Sequence, residues 1–139
     1  MKISMKLFCH SGPGKTEKQI DVEFIQTEPG ISLMADSSLV EQLLINLITN
    51  AINAVKGKTD PKITVTASEK NKNKIILKVN DTGVGIPSQN LDKIFIPFFS
   101  TTNGSGIGLS LCKQIMLVHN GSIRIQSIEG EGTSVWLVF

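Results

Sequence analysis

Three asparagines recur at helical spacing in the first half of the chain: Asn46, Asn50 and Asn53 are separated by four and then three residues. At about 100° per residue, these positions lie along one stripe of a helix. An asparagine carbonyl is a hard oxygen ligand that suits Mg²⁺, which proteins commonly hold together with substrate phosphates. The alternative is a solvated polar stripe, although asparagine is a mediocre helix former. The apolar residues of the segment fall on the opposite side: Leu44, Leu47, Ile48, Ala51 and Val55.

A second motif, Asp81-Thr82-Gly83-Val84-Gly85, follows an apolar run that is typical of a buried strand. Glycine permits backbone conformations and close approaches that other residues do not. An ionised carboxylate only accepts hydrogen bonds, so Asp81 could accept from the exocyclic amine of adenine and would reject the carbonyl of guanine. A simple turn in which an aspartate caps its own backbone is the competing interpretation.

The third motif is glycine-rich and precedes an apolar run that favours a helix. Gly104, Gly106 and Gly108 alternate with Ser105 and Ile107, and Leu109 follows. Exposed backbone N–H groups and the positive end of a helix both favour phosphate. Before this motif, a loop over 87–103 combines phenylalanines with the hydroxyls of 100–102, which suits a segment that folds over a ligand. The same phenylalanines could simply fix the loop to the core.

The composition is that of one ordinary globular domain: 139 residues, 40% hydrophobic and 19% charged, with a net charge of +2. Arg124 is the only arginine, which argues against reading nucleic-acid bases. We expect no membrane contact and no signal peptide, because the N-terminus lacks an apolar core.

Hydrophobic periodicity predicts an α+β two-layer sandwich, a mixed and mostly antiparallel sheet with helices packed on one face. Either Ser38 with Glu41 or Asp36 could cap the first helix. The predicted order is strands at 20–26 and 31–34, a helix from about 36 to 56, strands at 62–68 and 74–80, the loop at 87–103 with one helical turn, a helix at 105–119, and strands at 122–127 and 133–139.

The three motifs in this order resemble the asparagine box and the two glycine boxes of the histidine kinase ATP-binding domain, within the Bergerat-fold group that includes gyrase, heat-shock chaperone and mismatch-repair ATPases. The stretch 95–102 resembles the phenylalanine box of those kinases, and 129–133 resembles their turn before the last strand. The resemblance covers residues 20–139 and leaves 1–19 as an N-terminal lead-in segment. It implies that 87–103 is the ATP lid.

The resemblance further implies an ATP and Mg²⁺ site. Asn50 would be the principal metal ligand, with Asn46 beside it as the second catalytic position and Asn53 on the same stripe. Asp81 would contact the adenine amine, with Gly83 and Gly85 under the base. The remaining expected nucleotide-binding residues are Ile86, Phe98, Thr101, Thr102, Gly104, Ser105, Gly106, Ile107, Gly108, Leu109 and Thr133.

Two positions refine the resemblance. Hydrolases of this group have a glutamate general base four residues before the metal asparagine, where this chain has Asn46, which cannot take a proton. Many related kinases have a lid lysine where this chain has Asn103. The favoured interpretation is therefore a sensor histidine kinase domain that donates the γ-phosphate to a histidine. An ATP hydrolase and a degenerate module that only binds a partner are the alternatives.

Several partners follow from the resemblance alone. A helical dimerisation domain with the phosphoacceptor histidine precedes this domain in such kinases, and no stretch before Ile20 resembles it. We therefore expect that domain elsewhere in a homodimeric parent kinase, together with a downstream response regulator. The expected location is cytoplasmic, either in a soluble kinase or in the cytoplasmic part of a membrane-bound sensor.

Overall fold

A computed structural model describes residues 2–9, 18–71, 73–99 and 108–139. These residues form strands, two α-helices and one 3-10 turn in a single α+β arrangement. The elements in chain order are β1 (Lys2–Cys9), β2 (Lys18–Gln26), α1 (Ser37–Val55), β3 (Lys62–Lys70), β4 (Lys74–Asp81), a 3-10 turn (Ser88–Asn90), α2 (Gly108–Val118), β5 (Ser122–Ile128) and β6 (Gly132–Val138).

The strands form one six-stranded sheet in the order β1-β2-β3-β4-β6-β5. Only the β2–β3 pair is parallel, because α1 forms the crossover between those two strands. The predicted mixed, mostly antiparallel two-layer fold is confirmed. The predicted return strand at 31–34 is wrong: this segment is not a strand. It has no edge of β2 to pair with, since β1 and β3 occupy both edges.

β1 lies within the segment in which the sequence analysis recognised no element. It pairs antiparallel with β2 along its whole length, from Lys2 opposite Ile25 to Cys9 opposite Lys18. The alternation of apolar Ile3, Met5 and Leu7 with polar neighbours is the period of a strand. Residues 2–9 thus extend the sheet, while the boundary of the nucleotide-binding unit at Ile20 stays a prediction.

The core lies between the helices and one face of the sheet. In α1 the fully buried side chains recur every fourth residue, at Leu43, Leu47, Ala51 and Val55, and the predicted Leu44 and Ile48 are partly buried beside them. This spacing forms a narrow stripe that faces the sheet and leaves the asparagines elsewhere on the helix. The buried sheet and α2 residues that meet this stripe include Ile20, Val22, Ile63, Val79, Val135, Leu137, Cys112, Ile115 and Met116.

Asp36 caps the start of α1, as one of the two predicted alternatives had it. Its Oδ1 accepts a hydrogen bond from the Leu39 N–H at 3.1 Å, which satisfies one of the free donors of the first turn. The N–H of Asp36 in turn donates to Nε2 of His119 at 3.1 Å. The other nitrogen of that ring, Nδ1, lies 2.8 Å from the Ile115 carbonyl oxygen. The end of α2 therefore holds the beginning of α1.

By length and composition, α1 is apolar enough to cross a membrane, because an 18-residue window within it has a mean hydropathy of 1.2. A core helix of a globular protein meets the same criterion. Here the buried stripe of α1 packs on the sheet, and its asparagine stripe would be costly in lipid. These contacts support its role as a core helix.

Candidate nucleotide-binding site

Asp81 is the last residue of β4 and the one charged residue found buried among those that the structure describes, with 8% of its surface exposed. Its Oδ1 accepts a hydrogen bond from the Gly83 N–H at 2.8 Å. Burial raises the pKa of the Asp81 carboxyl group, and the hydrogen bonds from the backbone N–H groups of Gly83 and Thr133 oppose that rise. A carboxylate this buried is costly to ionise, and such perturbed groups cluster at functional sites, which favours a role in binding.

Gly83 lies directly against α1. A Cβ atom at this position would lie 2.6 Å from the carbonyl carbon, the oxygen and the Cβ of Ala54. The Val84 N–H donates to the same Ala54 carbonyl oxygen at 3.0 Å. Only glycine allows the turn to approach the helix this closely. As a result, the turn after β4 packs against Ala54, the residue of α1 that follows Asn53.

Thr82 fixes the other side of the same turn. Its Oγ1 accepts from the Lys62 N–H at 3.0 Å and donates to the Asp60 carbonyl oxygen at 3.1 Å. Its own N–H donates to the Lys62 carbonyl oxygen at 3.1 Å. The Thr82 hydroxyl thus links the end of β4 to the start of β3. Together with the contact of Gly83 on α1, it fixes the turn that carries Asp81.

The turn between β5 and β6 closes over Gly85. This glycine has a φ of +71°, and a Cβ atom there would lie 2.2 Å from the Ile128 carbonyl oxygen. A side chain is therefore excluded both by the backbone conformation and by the space. The Gly130 N–H donates to the Val84 carbonyl oxygen at 2.7 Å, and the Lys58 amine donates to the Gly130 carbonyl oxygen at 2.8 Å.

Ser127, which the sequence analysis did not single out, connects three parts of the site. Its Oγ accepts from the Ile86 N–H at 2.7 Å and donates to the Gly132 carbonyl oxygen at 3.0 Å. It also lies 2.8 Å from Oγ1 of Thr133, its cross-strand neighbour, which pairs with Asp81 on the other side. A serine near the end of a strand carries no distinctive local signal. Only the β5–β6–β4 pairing gives it this role.

The asparagine stripe meets the beginning of α2. A Cβ atom on Gly108 would lie 3.8 Å from Nδ2 and 4.0 Å from Oδ1 of Asn50. Asn50 and Asn53 are exposed, whereas Leu109 is packed against the core. The first backbone N–H groups of a helix have no partner within it. The fold therefore brings an exposed amide side chain to the positive end of the α2 dipole.

Asn46 lies deeper than the other two asparagines. Its Nδ2 is buried and makes no hydrogen bond to the part of the protein that the structure describes. Burial raises the pKa of the neighbouring Cys112 thiol to about 11, and the Asn46 side chain opposes that rise. A thiol sulfur is a weak acceptor, so the Asn46 amide has no strong hydrogen-bond partner among the described residues. The Asn46 amide is thus suited to an oxygen of a phosphate or of water.

The predicted lid runs from Pro87 as a 3-10 turn and further turns, with hydrogen bonds such as Ile96 N–H to the Lys93 carbonyl oxygen. Ile94 is buried, and the Phe95 ring lies 5.3 Å from the Lys113 amine of α2. Phe98 is 77% exposed and has a φ of +68°, a strained conformation for a bulky residue. Eight predicted lid and phosphate-loop residues lie outside the described residues: Ser100, Thr101, Thr102, Asn103, Gly104, Ser105, Gly106 and Ile107.

Comparison with known proteins agrees with this geometry. The family model described as "Histidine kinase-, DNA gyrase B-, and HSP90-like ATPase" matches residues 35–139. The sensor histidine kinase ZraS of Salmonella typhi is 37% identical over 123 residues, which are 86% of this chain and 26% of that protein. The sensor protein kinase WalK of Staphylococcus epidermidis is 32% identical over 126 residues, 84% of this chain and 20% of that protein.

Among solved structures, the catalytic domain of histidine kinase ThkA superimposes with a TM-score of 0.73 and 33% identity, covering 84% of this chain and 76% of that one. The chain thus spans about three quarters of the ThkA catalytic-domain chain and only a fifth to a quarter of the length of the two sensor kinases above. It belongs to the histidine kinase-, DNA gyrase B- and HSP90-like ATPase family, as a catalytic domain of the histidine kinase type.

Proposed function

We propose that this domain binds ATP with Mg²⁺ and donates the γ-phosphate to a histidine on a separate helical domain of its parent kinase. The observation that carries the proposal is the convergence of three groups at one place. The turn of Asp81 packs on α1 through Gly83, and the asparagine stripe of the same helix meets Gly108 at the start of α2. One position for a nucleotide could then contact all three.

In this proposal Asp81 selects the base. Its Oδ1 is engaged by Gly83, and the carboxylate could accept a further hydrogen bond from the adenine amine through its remaining lone pairs. Gly83 and Gly85 would lie under the base, and their close approaches to Ala54 and Ile128 would fix the turn that supports it. Ile86 and Thr133 border the same turn. A guanine carbonyl would face the carboxylate without a donor, so the site should favour ATP over GTP.

The asparagines would hold the phosphates and the metal. An exposed amide oxygen of Asn50 suits Mg²⁺, which usually takes one or two protein oxygens and completes its shell with phosphate oxygens and water. When bound, the ion would neutralise part of the phosphate charge. The backbone N–H groups at the start of α2 and the side-chain amide N–H group of Asn46 would donate hydrogen bonds to phosphate oxygens. Asn53 lies on the same stripe. Thr101, Thr102 and 104–107 complete the proposed contacts from the lid and the phosphate loop.

The acceptor of the phosphoryl group distinguishes this function from hydrolysis. Asn46 cannot take a proton, so it cannot activate water or a serine hydroxyl. A neutral imidazole carries its own lone pair and needs no such base. We therefore infer that residues 20–139, with a lid at 87–103, act on a helical dimerisation domain elsewhere in a cytoplasmic, homodimeric kinase region, and that a response regulator receives the phosphate next.

Titration calorimetry with non-hydrolysable ATP and GTP analogues, each with and without Mg²⁺, tests the proposed pocket. We expect saturable binding of the ATP analogue, tighter with Mg²⁺, and at least about tenfold weaker binding of the GTP analogue, since a hydrogen bond to a charged group contributes about 1.5–3 kcal/mol. Equal affinity for both analogues would contradict the role of Asp81. Undetectable binding of either would favour the partner-binding module instead.

A further inference from the structure

The face of the sheet that points away from the helices has a groove at the β4–β6–β5 end. Its volume is about 560 Å³. Trp136, Ile76 and Val138 form its apolar floor, and Lys70, Lys74 and Arg124 line it. Asp81 and the core residue Val79 lie on the opposite face of β4, because successive side chains of a strand alternate between faces. This Trp136 groove is therefore separate from the proposed nucleotide site.

Trp136 lies between two cationic residues. Its cross-strand neighbours are Lys78 on β4 and Arg124 on β5. The Lys78 amine lies 5.0 Å from the centre of the indole ring, within the range of a cation–π contact. The aromatic ring and both positive charges thus belong to one row that crosses three strands.

The lining of the groove carries an excess of positive charge, and one carboxylate near its Lys70 end, that of Glu28, accepts a hydrogen bond from the Glu69 N–H at 3.1 Å. Lys70 lies directly opposite Lys74 in the β3–β4 pair, and like charges opposite each other destabilise a sheet. The described residues that line the groove include no aspartate or glutamate. On this face of the sheet the carboxylate of Glu23 lies on β2, where its oxygen is 3.6 Å from the Lys62 amine. An external anion would relieve the repulsion within the groove.

We propose that the Trp136 groove binds an extended acidic peptide segment of a partner protein. An extended peptide presents alternate side chains to one face, so an apolar residue could lie on the indole ring while carboxylates two residues away on each side reach the cations. The concave shape suits a chain segment better than a flat lipid surface. The volume lies within the range of ordinary binding pockets, about 300–1,000 Å³. The proposal does not depend on the nucleotide-binding function.

Trp136 is the only tryptophan of the chain, which contains no tyrosine, so its fluorescence reports on the groove directly. The probe is a short capped peptide with leucine at its centre, a glutamate two residues to each side and serines between. We expect a saturable change in emission on titration. Removing two cations with Lys74→Gln and Arg124→Gln should weaken binding by about twofold to thirtyfold, the combined effect of two surface ion pairs.

The matched control is the double variant Lys6→Gln and Lys56→Gln, which removes the same charge from exposed positions outside both the groove and the proposed lid. It should bind the acidic peptide as the unchanged protein does, and a peptide with lysines in place of the glutamates should not bind. Both double variants should bind the ATP analogue unchanged, which separates this proposal from the nucleotide site. No saturable change with the acidic peptide, equal losses in both double variants, or equal binding of the basic peptide would overturn the proposal. So would a response only to vesicles that contain phosphatidylserine.

Discussion

The substitution Asp81→Asn should separate binding from stability. Asparagine has nearly the same shape, and its carbonyl oxygen can still accept from the Gly83 N–H, 2.8 Å from the carboxylate oxygen it replaces. The charge-assisted hydrogen bond to adenine would be lost, which costs about 1.5–3 kcal/mol and weakens ATP affinity by about tenfold to more than a hundredfold. Titration calorimetry with the ATP analogue measures this loss, with the exposed Asp21→Asn as the matched control.

The same variant should not lose stability at neutral pH, because burial raises the pKa of Asp81 above its ordinary value of 3.8. The folded state then binds the proton more tightly than the unfolded state. The carboxyl group therefore contributes stability below pH 3.8, and this contribution is lost as the pH rises through the pKa of the folded state. At pH 7 the variant should equal or exceed the unchanged protein in free energy of unfolding, measured with urea. A large destabilisation together with retained ATP affinity would refute the assignment of Asp81 as a binding residue.

Three further substitutions test the packing around the site. Gly83→Ala should cost about 1–3 kcal/mol of stability because the new Cβ has no space against Ala54, whereas Gly108→Ala should change stability by no more than about 1 kcal/mol. Urea unfolding compares the two variants, and equal costs would contradict the close approach of Gly83 to Ala54. His119→Ala removes the hydrogen bond from the Asp36 N–H that joins the two helices and a second contact with Ile115 of α2, and should cost about 1–3 kcal/mol. No change in the urea midpoint would argue that these contacts contribute nothing. In a Cys9→Ser background, Cys112 of the folded protein should react with a disulfide reagent at pH 8 about a hundredfold more slowly than Cys112 of the protein unfolded in urea, because burial raises its pKa to about 11. Equal rates in the two states would show an accessible thiolate in the folded protein.

The local parts of the site could be predicted from the sequence because their signals are local. The asparagine stripe follows from helical spacing, and the Asp36 cap from residue type and position. The turn after β4 was recognisable because glycines mark positions where the backbone must approach something closely, as Gly83 approaches Ala54. The identity of that neighbour could not be predicted, because it depends on how the end of β4 packs on α1, which is distant from it in sequence.

Features that depend on strand pairing could not be predicted in this way. Ser127 gains its role only because β5 pairs with β6 and β6 with β4, which places its hydroxyl beside Thr133 and Ile86. The strand expected at 31–34 failed for the same reason, because both edges of β2, the strand beside which it would return, are already paired with β1 and β3. β1 was missed although the alternation of apolar and polar residues from Lys2 to Leu7 was present in the sequence.

Phosphoryl transfer within the longer protein, in which this domain is joined to its native helical domain, tests the central claim most directly. The protein is incubated with ATP labelled at the γ-phosphate and Mg²⁺, and the bound label is examined for stability in acid and in base. The account predicts label on a histidine of the helical domain, labile in acid and stable in base, and lost in the Asp81→Asn variant. Bound ATP that yields inorganic phosphate and never labels that histidine would contradict the account and favour the hydrolase alternative.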